Sequence, residues 1–160
     1  MDEDTQSIII LYADDDEDDQ MLAKDALEES RLANEIRFVN DGEELMDYLH
    51  HRGKYDDVEK YPLPGLILLD LNMPRKDGRE ALAEIKADPS LRIIPVVVLT
   101  TSKIEEDILR TYDLGVNSFI AKPVSFDGLV DIMKTLALYW FKIVELPKEK
   151  VDEQAMAVTP

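Results

Sequence analysis

Three apolar runs in this chain stop at residues that an apolar core cannot hold. Residues 8–13 (IIILYA) run into Asp14-Asp15-Asp16, residues 66–69 (LILL) into Asp70, and residues 95–99 (PVVVL) into Thr100. A fourth run, Ser118-Phe119-Ile120-Ala121, meets Lys122. If the runs are strands of one open α/β sheet, these polar groups gather beyond its carboxyl edge, where such sheets bind ligands. The cleft then holds several carboxylates, a hydroxyl and an ammonium. Two carboxylates about 5 Å apart repel by roughly 3 kcal/mol at an effective dielectric near 20. Without a counter-charge one of them takes up a proton. A hard divalent cation removes the conflict, and a few oxygen ligands at a partly exposed site suit Mg²⁺ with retained waters. A cation beside Asp70 leaves room for a phosphoryl oxygen, while Lys122 neutralises a second and Thr100 donates to a third. The chemistry indicated is phosphoryl transfer, with Asp70 as a nucleophile that forms an acyl phosphate.

The elements that position these groups follow from periodicity. Continuously apolar runs read as strands buried on both faces of a parallel sheet. Residues 36–39 add a shorter strand of alternating character. Amphipathic helices lie between the strands. The first carries Leu22, Ala23, Ala26 and Leu27 on one face, and the second, after the Asn40-Asp41-Gly42 turn, carries Leu45, Met46 and Leu49. The third carries Ala81, Leu82 and Ile85 and closes near Asp88-Pro89. A fourth, with Ile104, Ile108, Leu109 and Tyr112, opens on capping-box spacing from Ser102 to Glu105 and ends at Gly115. The last presents Leu129, Ile132, Met133, Leu136 and Trp140. Residues 50–64 are expected as a long polar connection with no clear period, and Pro74 with Asp77-Gly78 as a loop. Strand and helix thus alternate five times. The fold class is α/β: a five-stranded parallel sheet with right-handed crossovers and helices on both faces.

Composition narrows the function. The chain has 160 residues with 18 Lys+Arg against 35 Asp+Glu, a formal net charge of −17. Such a surface makes a poor direct binder of DNA or RNA and is repelled by anionic membranes. With no cysteine there is no thiolate nucleophile, disulfide or iron–sulfur cluster. A hydrophobic fraction of 45% is too high for a disordered acidic chain. The acidic start MDEDTQ is unlike a secretory signal, and the apolar runs are too short to span a bilayer. A cytoplasmic protein of one domain is the expectation.

Several residues have plainer readings. An acidic run is most often a solvated face, and Asp16, Asp18 and Asp19 read as cap and helix-dipole residues. A calcium loop starting at Asp14 fails, since Asp19 stands where glycine is needed and Asp25 where glutamate is needed. His50, His51, Arg75 and Lys76 read as surface-loop residues. Asp14, Asp15 and Asp70 keep the sharper reading because each follows a buried strand.

Taken together, residues 8–16 (IIILYADDD), 66–78 (LILLDLNMPRKDG), 96–102 (VVVLTTS) and 115–123 (GVNSFIAKP) resemble the receiver domain of two-component response regulators. The resemblance covers residues 7–138. It implies a flavodoxin-like, doubly wound receiver domain over residues 1–138 and a C-terminal extension over 139–160. It implies Mg²⁺ at Asp14, Asp15 and Asp70 with the backbone carbonyl of Asn72, and Asp70 as the phosphoacceptor. Thr100 and Lys122 would bind the phosphoryl group, and Thr100 and Phe119 would form the switch. Many relatives carry Tyr at the place of Phe119, which lacks the hydroxyl. The implied partner is a sensor histidine kinase, with a phosphotransfer or effector protein downstream. The aromatic residues 139–147 are similar to the tail of stand-alone regulators that partner bacterial phytochromes, and imply a homodimer through the last helix and strand. Such a protein is a phosphoacceptor switch rather than an enzyme. The alternative, an aspartyl-nucleophile phosphatase of similar fold, wants a second acid where Asn72 stands. A flavodoxin-like cofactor binder wants a Gly-, Ser- or Thr-rich loop where the acids of residues 14–19 stand.

Overall fold

Five short strands pair in parallel, in the order β2-β1-β3-β4-β5. They are β1 (Ile9–Ala13), β2 (Glu35–Val39), β3 (Leu66–Asp70), β4 (Val96–Thr100) and β5 (Ser118–Ala121). The helices are α1 (Glu17–Glu29), α2 (Gly42–His50), α3 (Gly78–Ala87) and α4 (Phe126–Tyr139). The computed structural model describes residues 8–30, 34–71, 73, 75–76, 78–100, 118–121 and 125–139, without the side chains of residues 100, 118–121 and 136–139. The helix expected around residues 104–112 and the extension beyond Tyr139 lie outside the described residues.

Strand order decides where the helices go. From β1 the chain moves outward to β2, then returns past β1 to β3 and on to β4. Right-handed crossovers in opposite directions place their helices on opposite faces. One face packs Leu11, Ala13, Ile67, Leu69, Val96 and Val98 against α2 and α3 through Leu45, Met46, Leu49, Ala81, Leu82 and Ile85. The other packs Ile10, Tyr12, Leu66, Leu68, Val97 and Leu99 against Ala23, Leu27 and Met133 of α1 and α4. β1, β3 and β4 therefore alternate faces at a period of two, yet both faces are apolar, so these runs are continuously apolar.

The two N-caps of this half of the fold are aspartates. Asp16 accepts from the backbone N–H groups of Asp18 and Asp19, and Glu17, Asp18 and Asp19 fill the positive end of α1. Asp41 accepts from Glu44 N at 2.7 Å and opens α2. Strand limits differ slightly from expectation: β1 begins at Ile9, β2 at Glu35, and β4 includes Thr100. In α4, Leu129 and Met133 are buried as expected, and Leu136 and Trp140 lie outside the described side chains.

The connection over residues 50–64 is more ordered than its lack of period implies. A 3₁₀ turn, Gly53–Tyr55, brings Tyr55 onto Tyr48 and Tyr61, with ring centroids 4.9–5.7 Å apart. The Tyr48 hydroxyl donates to Pro62 O at 3.0 Å and accepts from Arg37 Nη1 at 3.2 Å. His51 is also more than a loop residue. It ends α2 in the left-handed region (φ 58), and its Nε2 lies 2.8 Å from Tyr61 O. Three tyrosines spaced unevenly along the chain show no helical or strand period, which is why the cluster is invisible to pattern reading.

Glu44 joins this cluster to the cleft side of α2. It accepts from the Tyr55 hydroxyl and from Asn40 N, and pairs with Lys54 Nζ at 3.3 Å. Burial opposes its charge, but these donors outweigh it and hold the carboxyl below its usual 4.5. A lowered folded-state value gives stability that is complete above the unfolded value and is lost as pH falls through the folded one. Glu44→Gln is therefore expected to flatten the fall in melting temperature below about pH 4.5, measured against wild type by calorimetry across pH. An unchanged acid limb refutes the role.

Candidate metal and phosphoacceptor site

The parallel register brings the strand ends to one edge. Ala13 stands beside Val39 and Leu69, Asp70 beside Leu99, and Thr100 beside Ala121. Between β1 and β3 the chain reverses its direction across the sheet. That is the switch point, where outgoing loops splay apart and leave a crevice. Asp14 and Asp15 leave β1 there, and Asp70 ends β3. One carboxylate oxygen from each of Asp14, Asp15 and Asp70 lies within 4.8 Å of the other two. Asp14 is 0% exposed, Asp70 is 3% exposed, and Asp15 faces solvent. Oxygen donors alone, close together and open on one side, fit a hard divalent cation that keeps some of its waters.

Asp14 is anchored through every polar atom of its residue. Its N–H donates to Val39 O at 3.0 Å. Its carbonyl accepts from Gln20 Nε2 at 2.7 Å, and Gln20 also donates to Asn40 Oδ1 at 2.8 Å. Oδ1 accepts from Asp16 N at 2.9 Å, and Oδ2 accepts from the Tyr12 hydroxyl at 2.8 Å. Burial, and then the negative charge of Asp14, raise the Tyr12 phenol far above its usual 10.0. Tyr12 is therefore a permanent donor to this carboxylate.

Asp70 is set by the backbone that follows it. Leu71 N donates to Leu99 O at 3.2 Å, which carries the β3–β4 pairing one residue past the strand. Gly78 N, at the start of α3, donates to Leu71 O at 3.0 Å. A Cβ on Gly78 would stand 2.6 Å from Leu71 Cα and overlap the Asp70 carbonyl oxygen. The loop after Asp70 also leans on α2. A Cβ on Gly42 would lie 2.7 Å from the carbonyl carbon of Lys76. Arg75, in the left-handed region (φ 64), reaches Asp41 at 3.2 Å and Glu43 at 3.5 Å. Lys76 pairs with Glu84 of α3. Arg75 and Lys76 are surface residues as expected, and both tie the loop down.

Among the expected site residues, Asp14, Asp15 and Asp70 are brought together. Thr100 ends β4 next to β3 and Phe119 lies on β5 opposite Val98, with both side chains outside the described residues. Asn72 and Lys122 are also outside them. Tyr12 and Gln20 were not singled out from sequence, and Asn40 and Gly78 were read only as turn and loop residues. Tyr12 carried a legible signal: it is a hydroxyl within a buried run, two residues before Asp14 and so on the same side of the strand. Among the described residues, no helix is long and apolar enough to cross a membrane.

Fold and site together define a class: an α/β protein with an acidic pocket at the switch point of a parallel sheet. The profile of the response regulator receiver domain matches residues 10–134. The chain belongs to the response regulator receiver domain family, whose members work as switches rather than as true enzymes. Response regulator Rcp1 of Synechocystis sp. is 41% identical over 146 residues, 91% of this chain and 97% of Rcp1. The Mn²⁺-bound crystal form of Rcp1 superposes with a TM-score of 0.71, at 41% identity, over 88% of this chain and 99% of Rcp1. The phosphorylated cyanobacterial phytochrome response regulator RcpA gives 0.73 at 44% identity, over 89% of this chain and 99% of RcpA. The bacteriophytochrome response regulator RtBRR gives 0.76 at 37% identity, over 96% and 90%.

Proposed function

We propose that the chain is a phosphoacceptor switch of two-component signalling that takes a phosphoryl group on Asp70 from the phosphohistidine of a sensor kinase. The observation that carries this reading is the convergence of Asp14, Asp15 and Asp70 within 4.8 Å at the switch point. In the transfer, an Asp70 oxygen attacks phosphorus, a P–O bond forms, the P–N bond breaks, and the imidazole nitrogen keeps the electron pair. Mg²⁺, held by Asp14, Asp15, Asp70 and the Asn72 carbonyl, would supply charge neutralisation for the phosphoryl oxygens. The Thr100 hydroxyl and the Lys122 ammonium bind the remaining oxygens. Thr100 and Phe119 then pass the change to the face made by β5 and α4. A phosphotransfer or effector protein reads that surface.

The kinase is of the phytochrome class, a reading supported by the likeness to RcpA and RtBRR. A net charge of −17 sets nucleic acid and anionic membranes aside as partners and suits a cytoplasmic protein. Incubation with radiolabelled acetyl phosphate tests the reading: Mg²⁺-dependent, acid-stable but base-labile label is expected, and no label with Mg²⁺ present overturns it. The aromatic residues 139–147 support a homodimer through the last helix and strand. Light scattering across a concentration range checks it, and a strict monomer with and without beryllofluoride rejects it.

A further inference from the structure

We propose that Gln20 is a positioning residue for the cation site, which it serves by locking the peptide plane from which Asp15 departs. The inference rests on the reading of Asp14, Asp15 and Asp70 as that site. Two of these acids are buried, so their surroundings aim them, but Asp15 faces solvent. Packing therefore does not direct its side chain, and the backbone on either side must. The peptide after Asp15 is held by the hydrogen bond from Asp16 N to Asp14 Oδ1 at 2.9 Å. The peptide before it is held by Gln20, whose Nε2 donates to Asp14 O at 2.7 Å.

A peptide unit is planar, so the Asp14 carbonyl shares its plane with the N–H and Cα of Asp15. Fixing the carbonyl fixes one of the two planes that meet at the Asp15 Cα, and with both fixed the direction of its Cβ is set. Gln20 can do this because its amide is held at a second point, donating to Asn40 Oδ1 at 2.8 Å. A side-chain amide has two N–H donors, and here each has an acceptor. A main-chain carbonyl only accepts, so the amino end of the amide is the end that faces Asp14. Asn40 is braced in turn, since its backbone N–H and its Nδ2 donate to Glu44 Oε1 at 2.8 and 3.3 Å. Gln20 stands near the start of α1, where its N–H bonds Asp16 O at 3.0 Å. The amide thus ties the β1–α1 turn, which carries two of the three acids, to the β2–α2 turn. Groups that orient metal ligands in this way are typically worth about ten- to a hundredfold in metal affinity.

Gln20→Met tests this, because it keeps the length of the side chain and removes both donors. Mg²⁺ dissociation constants are measured by calorimetry on the unphosphorylated full chain, with the metal-free melting temperature as the control. Mg²⁺ binding is expected to weaken about tenfold. The Mg²⁺ concentration that half-saturates labelling by acetyl phosphate should rise by the same factor, while the rate at saturating Mg²⁺ stays within about twofold of wild type. Gln20→Ala is expected to act in the same direction, which covers the case in which the methionine disturbs the turn. In an Asp15→Ala background the loss should shrink to about twofold or less, since the effect runs through that ligand. Unchanged Mg²⁺ affinity in both variants overturns the proposal. So does an equal loss with and without the Asp15 carboxylate, which leaves Gln20 a brace of the turn alone. Wild-type protein that binds no Mg²⁺ overturns the cation reading itself, which is a distinguishable failure.

Discussion

Asp70→Asn is expected to take up no phosphoryl group from acetyl phosphate with Mg²⁺ and to bind no beryllofluoride, while its metal-free form melts higher than wild type. The first effect is chemical. An amide oxygen is a far weaker nucleophile than a carboxylate and cannot form a stable acyl phosphate. The second follows from the crowding of like charges. Three carboxylate oxygens within 4.8 Å of one another, two of them on buried residues, repel in the metal-free protein. At an effective dielectric near 20 each such pair is worth roughly 3 kcal/mol, and screening by solvent on the Asp15 side reduces that to about 1–2. Asparagine relieves part of the repulsion at almost unchanged volume. The third effect is a loss of linkage. Mg²⁺ at a hundred times its dissociation constant should stabilise the wild type by about 2.7 kcal/mol, and that gain should shrink sharply in the variant. Scanning calorimetry with EDTA and with Mg²⁺ separates these effects. Equal labelling of both proteins refutes Asp70 as the acceptor, and a variant that melts lower without metal refutes the repulsion argument.

The second large effect is expected at Gly78, where Gly78→Ala should lose about 2–4 kcal/mol of stability and most of the phosphoryl uptake. The new Cβ overlaps the Asp70 carbonyl oxygen and stands 2.6 Å from Leu71 Cα. Both neighbours are backbone, and both are held by the sheet, since Leu71 N bonds Leu99 O. No side chain can rotate out of the way, so α3 or the strand end must move, at the upper end of the usual cost of overpacking. For a domain with a typical total stability of about 5–15 kcal/mol this remains foldable. A shift of about 1 Å at Asp70 is enough to cost on the order of a hundredfold in rate. Urea denaturation gives the stability change, and the labelling rate gives the second. Full stability with slow labelling points to site distortion alone, and wild-type values in both refute the close-packing argument.

Much of this was legible from residue types. Continuous apolar runs mark strands covered on both faces, and each ends where a carboxylate or hydroxyl begins. Asp16 caps α1 as its type and place predict, because a short acceptor before an amphipathic stretch satisfies free N–H groups, whereas Asp41, legible only as a turn residue, caps α2. The three acids of the cleft were legible for the same reason: a buried strand is an expensive place to end on a charge unless the charge is used. The tyrosine cluster of residues 48–61 was not legible, because it depends on a loop folding back on a helix. Nor was the role of Arg75, whose partners Asp41 and Glu43 lie more than thirty residues away.

What sequence by itself determined is therefore the set of elements and the chemistry offered at their ends, because both depend on local periodicity and on the cost of burying polar groups. Tertiary structure alone decided how the ends are wired. Which strands are neighbours places Asp14 and Asp70 on either side of the switch point, and the two-residue alternation of a strand pinned between two others turns the Tyr12 hydroxyl onto Asp14. Contacts of that kind depend on distances between elements, and those distances exist only once the sheet has closed its register and the helices have packed on both faces.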